Sequence, residues 1–159
     1  MRMVRHMRGG VVSFPVVVGV ALAALCSPAS AQVDVEYLQS ETTRSMGLPF
    51  SDAVRVGDML YLSGQVGNLP GQTVLVSGGI QQETRQTMEN IKKVLEANGS
   101  SMDRVVKCLV MMADIEEWPA MNEVYVTFFD DHFPARSAFA GSGLALGARV
   151  EIECWATVG

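Results

Sequence analysis

An arginine inside an apolar strand is costly to bury unless an anion meets it. Arg136 stands in that setting, within Phe133-Pro134-Ala135-Arg136-Ser137. Its planar fork fits a carboxylate bidentately, which makes it a candidate anchor for a small anionic substrate. An ion pair with Glu151 or Glu153 would satisfy it too, and the spacing leaves both readings open. Glu151 and Glu153 project from one strand face, so either could orient or deprotonate a water as general base. An ordinary solvated strand face is the competing reading. Cys108 and Cys154 also fall in strand-like segments. They can pair only if their strands are spatial neighbours, and the expectation is two buried free thiols. His132 is the one histidine after residue 31, in a loop behind a helix, where a last-turn cap suits it. A single histidine leaves no His-rich metal site and makes any Ser-His-Asp triad depend on it.

Several chemistries have no motif here. No G-x-x-x-x-G-K-[ST] occurs, no G-x-G-x-x-G follows a strand, and no G-x-S-x-G elbow is present. Gly141-Ser142-Gly143 alone reads as a loop.

The elements that must position these residues follow from periodicity. Residues 33–37 alternate as a strand, and residues 53–56 and 59–63 flank Gly57-Asp58 as a tight hairpin. Residues 66–79 are rich in Gly, Asn, Pro and Ser and predict a long loop. Thr84, Met88, Ile91 and Leu95 form one helical stripe, stopped at Asn98-Gly99. Residues 105–112 are a nearly continuous apolar run, which predicts a strand buried on both faces. A second helix starts near Pro119, with Trp118, Met121, Val124, Tyr125, Phe128 and Phe129 as its core face. Residues 136–140 and 149–158 read as two last strands. The order is an α+β two-layer sandwich, a mixed β-sheet with two helices on one face. The other sheet face must then be covered, and self-association is the economical solution.

The chain has 159 residues and a net charge of −5, but the charge is uneven. Residues 1–31 hold Arg2, Arg5 and Arg8 and no acid, then an apolar run from Val16 to Leu25 and Ala29-Ser30-Ala31. This reads as a secretory signal peptide cleaved after Ala31, leaving a single domain over residues 32–159. The run is too short to span a bilayer, which needs ~20 residues, so no membrane association is expected after cleavage. The expected location is periplasmic or secreted. Loss of the three arginines takes the charge from −5 to −8. An acidic chain without a basic stripe is a poor nucleic-acid binder, and no nucleic-acid partner is expected.

Six segments occur in order along the chain: Pro49-Phe50-Ser51-Asp52-Ala53-Val54, Leu60-Tyr61-Leu62-Ser63-Gly64-Gln65, Gln86-Thr87-Met88-Glu89-Asn90-Ile91, Asn122-Glu123-Val124-Tyr125, Phe133-Pro134-Ala135-Arg136-Ser137 and Val150-Glu151-Ile152-Glu153. Together they resemble the RidA/YjgF family of reactive-intermediate enamine/imine deaminases, also named the endoribonuclease L-PSP family. The resemblance spans about residues 35–158. It implies a chorismate-mutase-like fold, a homotrimer with clefts between subunits, and no metal or organic cofactor. It also implies hydrolysis of 2-imino acids to 2-oxo acids and ammonia. Arg136 would bind the substrate carboxylate and Glu151 would position the water, with Ser63, Asn122 and Phe50 lining or supporting the cleft. The family's usual Gly-Pro-Tyr reads Leu48-Pro49-Phe50 here, and the cysteine often found two residues after the arginine is Ala138. The alternative is a non-catalytic trimer of the same fold that binds a small carboxylate.

Overall fold

The computed structural model describes residues 33–159. The signal peptide expected over residues 1–31 lies outside the described residues. The remaining chain forms one mixed sheet under a helical layer. Its strands are β1 (Val35–Leu38), β2 (Ala53–Val56), β3 (Met59–Leu62), β4 (Gln65–Val66), β5 (Val105–Met112), β6 (Ala135–Ala140) and β7 (Val150–Thr157). Their order is β1-β2-β3-β7-β5-β6, with β4 also pairing β7. Only β5 and β6 run parallel; the other pairings are antiparallel.

The helices are α1 (Glu41–Ser45), α2 (Gly79–Ala97) and α3 (Trp118–Tyr125). In α2 the stripe Thr84, Met88, Ile91 and Leu95 is fully buried. It meets Val150, Ile152, Cys154 and Ala156 of β7, the four residues that period-two alternation turns to one face. Burying side chains of this size stabilises by roughly 1.5–3 kcal/mol each. The chain leaves β2 through Gly57, whose φ of +56° a side chain rarely adopts, and returns in β3 with Val56 opposite Met59. Pro119 sits in the first turn of α3, where its missing N–H breaks no helical bond.

Four sequence expectations need correction. Residues 105–112 form a strand, but only one of its faces is buried: Val105, Cys108, Val110 and Met112 are inside, Val106 is exposed, and Lys107, Leu109 and Met111 are half-exposed. Cys108 and Cys154 are not free thiols. They sit directly opposite on β5 and β7 and are joined by a disulfide. The pair lies in the regular run from Lys107↔Trp155 to Met112↔Val150, and spacing along the sequence alone does not give that register. The predicted aromatic core face of the second helix is incomplete. Met121, Val124, Tyr125 and Phe129 are buried, while Trp118 is 39% exposed. His132 lies exposed beyond that helix and caps none.

Candidate functional site

Parity along the strands decides which residues can meet. Arg136 is in register with Cys108, and Cys108 with Cys154, so Arg136 points into the helical layer. Glu151 is in register with Met111 and Phe139, on the opposite, open face of the sheet. The two residues stand two strands and three rows apart, about 14 Å between backbones. Within one chain, therefore, Arg136 and Glu151 do not share a site. Nor does Arg136 pair with either strand glutamate; the ion pair found among the described residues joins Arg149 to Glu117.

Arg136 is half-buried against α3. Its Nη1 donates to Asn122 Oδ1 at 2.7 Å. Its guanidinium carbon lies 4.7 Å from the centre of the Tyr125 ring and 5.9 Å from that of Trp118. An aromatic face attracts a cation and leaves its N–H edge uncommitted. One hydrogen bond and two rings thus orient a guanidinium that keeps most of its donors for an anion. Burial pushes the Tyr125 hydroxyl up to about 12, against the pull of Arg136, and its oxygen has no hydrogen-bond partner among the described residues. Trp118 was not expected at the site. Its position one helical turn before Asn122, on the face that reaches Arg136, is the signal that could have found it.

Glu151 lines a cavity of about 760 Å³ together with Phe50, Gly64, Gln65, Leu146 and residues of α1 and α2. Burial raises its carboxyl above the ordinary carboxylate range, and the neighbouring Glu153 adds to the rise. The carboxylate packs against the backbone of Gly64. A Cβ there would lie 2.9 Å from the carboxyl carbon. Only glycine admits the acid this close to the chain. Two contacts hold that segment in place. Asn90 of α2 donates to the carbonyls of Val66 and Asn68, at 3.1 and 2.9 Å. Ser63 Oγ donates to the Ser51 carbonyl at 2.6 Å, tying the end of β3 to the residue after Phe50. Ser63 thus braces the Phe50 segment.

The expected residues thus fall into two groups. Phe50, Ser63 and Glu151 assemble around β4, while Arg136 and Asn122 assemble around α3. The first group offers a carboxylate of raised pKa in a cavity, suited to accepting a proton from water. The second offers an oriented cation. Among the described residues, no group of three or more His, Cys, Asp or Glu is placed to hold a metal.

Comparison with known proteins gives concordant matches. The sequence model of the family described as "Endoribonuclease L-PSP" matches residues 41–158. The chain is 41% identical over 111 residues to the human protein named 2-iminobutanoate/2-iminopropanoate deaminase, covering 70% of this chain and 81% of that one. The solved structure of yeast YEO7 superposes with a TM-score of 0.73 at 37% identity, over 79% of this chain and 100% of the other. Escherichia coli TdcF, solved with bound serine, superposes with a TM-score of 0.65 at 31% identity, over 70% and 89% of the two chains.

Proposed function

The chain belongs to the endoribonuclease L-PSP (RidA/YjgF) family, and on that premise we propose that it hydrolyses reactive 2-imino acids to 2-oxo acids and ammonia. One observation carries the reading: Arg136 is a half-buried cation, oriented by Asn122 and two rings, that no carboxylate of the described residues neutralises. A substrate carboxylate would complete it bidentately.

The reaction needs little else. A protonated imine carbon is already electrophilic, so positioning supplies much of the rate. Glu151 takes a proton from water as the water oxygen bonds to the imine carbon. The carbinolamine so formed carries hydroxyl and amino groups on one carbon. Proton transfer to its nitrogen lets ammonia leave as the carbonyl forms. A carboxylate whose pKa burial has raised is a better base for the first step than an exposed one. The names of the human relative and of other imine deaminases support this reaction class.

Because Arg136 and Glu151 face opposite sides of the sheet, the site is completed by a second copy, which brings its α3–β6 edge to the cavity of its neighbour. A closed ring of three copies repeats that contact without leaving an open end. The open sheet face supports it: Tyr37, Tyr61 and Phe139 are exposed there at 75, 40 and 48%, beside Leu109, Met111 and Trp155. Export with cleavage after Ala31 is part of the same reading. The Cys108–Cys154 disulfide supports it, since such bonds persist in oxidising compartments. N-terminal sequencing of the exported protein should begin at Gln32.

The test is a coupled assay in which an amino-acid oxidase generates the imine. Wild type should accelerate 2-oxo acid release, and Arg136→Ala should reduce the acceleration at least about a hundredfold. Equal rates for the two proteins would refute the reading. Ligand-induced melting shifts without turnover would favour the non-catalytic carboxylate binder.

A further inference from the structure

The cavity beside Glu151 is larger than a three- or four-carbon imino acid requires. Its volume of about 760 Å³ lies in the upper part of the roughly 300–1,000 Å³ range of pockets that hold drug-sized ligands. Leu38, Met46, Leu48, Phe50, Val94 and Leu146 form most of its apolar wall. Several polar groups of that wall are already engaged within the protein. Asp52 takes the Thr43 hydroxyl and the Ser40 N–H. Asn90 binds two backbone carbonyls and accepts from Gln86, and Asn98 donates to the Val94 carbonyl. What remains for a ligand is a largely apolar chamber whose lining includes the Glu151 carboxylate and the exposed Lys93 ammonium.

Two lining side chains are conspicuously exposed. Phe50 is 47% and Leu146 is 54% exposed. Leu146 also has a φ of +59°, in the left-handed region that a leucine rarely occupies. Strain of this kind persists where the surrounding structure imposes it, and such positions cluster at ligand clamps. Here it presents an apolar side chain at the edge of a cavity.

Resting on the deaminase reading above, we propose that this protein acts on 2-imino acids with a large apolar side chain, branched-aliphatic or aromatic, and that Phe50 and Leu146 set this preference. The side chain enters the chamber while the imine carbon stays at Glu151 and the carboxylate reaches Arg136 of a second copy. In an apolar pocket a single added methylene is worth about tenfold or more in kcat/KM.

The test compares imines generated in situ by an L-amino-acid oxidase from leucine, phenylalanine and alanine, using the mature chain. Wild type should favour the leucine- or phenylalanine-derived imine over the alanine-derived one by at least about tenfold in kcat/KM. Leu146→Gly, which the local φ accommodates, and Phe50→Ser should each cut that ratio at least about threefold, the effect of losing part of an apolar contact. A wild-type ratio near one, or a ratio that neither substitution changes, overturns the inference. If no imine is hydrolysed, the deaminase reading fails and the chamber is judged by calorimetry with the corresponding 2-oxo acids. Tighter binding of 4-methyl-2-oxopentanoate than of pyruvate, weakened by Leu146→Gly, upholds it; equal affinities overturn it.

Discussion

Arg136 and Glu151 are tuned in different ways. The arginine is oriented by aromatic faces and an amide, partners that leave its charge intact. The glutamate is desolvated and set beside a like charge, which holds its proton more tightly than an exposed carboxyl would. Because its pKa is raised in the folded state, the folded protein binds more protons there than the unfolded chain. Stability therefore falls as pH rises through that pKa. Glu151→Gln should raise the melting temperature slightly at pH 7 while abolishing turnover, the reverse of what a structural acid would show. The acid limb of wild-type kcat/KM should lie above the ordinary carboxylate range. Sequence placed both residues among the candidates but left Arg136 open between a substrate and an internal ion pair. Strand parity removes the internal pair, because the two glutamates face the other way. The cysteines were misread for a related reason: their pairing depends on the register of β5 against β7, which composition does not encode.

At the scale of elements, the functional geometry depends on the shortest ones. β7 and α2 were legible because eight and nineteen residues carry a clear period. α1 and β4, with five and two residues, carry none. The Ser40 cap, whose side chain accepts from the Thr43 N–H, was the one local sign of α1. β4 fell at the edge of a predicted loop, yet its Val66 pairs with Glu151 and it follows directly on Gly64, which meets the Glu151 carboxylate. β5 was expected to be buried on both faces because its apolar run is nearly continuous, but Val106, Lys107, Leu109 and Met111 are exposed or half-exposed. Gly64→Ala should test the role of β4 directly. The added methyl displaces the Glu151 carboxylate, and a shift of about 1 Å in a catalytic group can cost about a hundredfold in rate. Circular dichroism should remain native while kcat falls. A variant with wild-type kcat would show that the acid tolerates displacement.

For the whole molecule, the proposed division of the site between the two sheet faces would make activity a property of the assembly. Arg136→Ala and Glu151→Gln should each be inactive alone. When the two are co-expressed, a site that draws its arginine from one copy and its glutamate from the next is intact with a probability of about one quarter. Roughly that fraction of wild-type activity should return, in a species of three times the subunit mass. No recovery in a verified mixed oligomer would place both residues in one subunit's site. The helical layer and the alternation that opposes it were readable from sequence. What covers the open face was not, since an open face names no partner. The disulfide has a further consequence when the chain meets a protease. Cys108 and Cys154 are 46 residues apart, and the exposed, glycine-rich stretch from Gly141 to Gly147 lies inside the loop they close. A protease that cuts this stretch severs the backbone between Arg136 and Glu151 but not the molecule, because the fragments stay covalently joined through the core. The nicked chain keeps β5 and β7 in register, so the protein can be cleaved where it is most accessible and remain one piece.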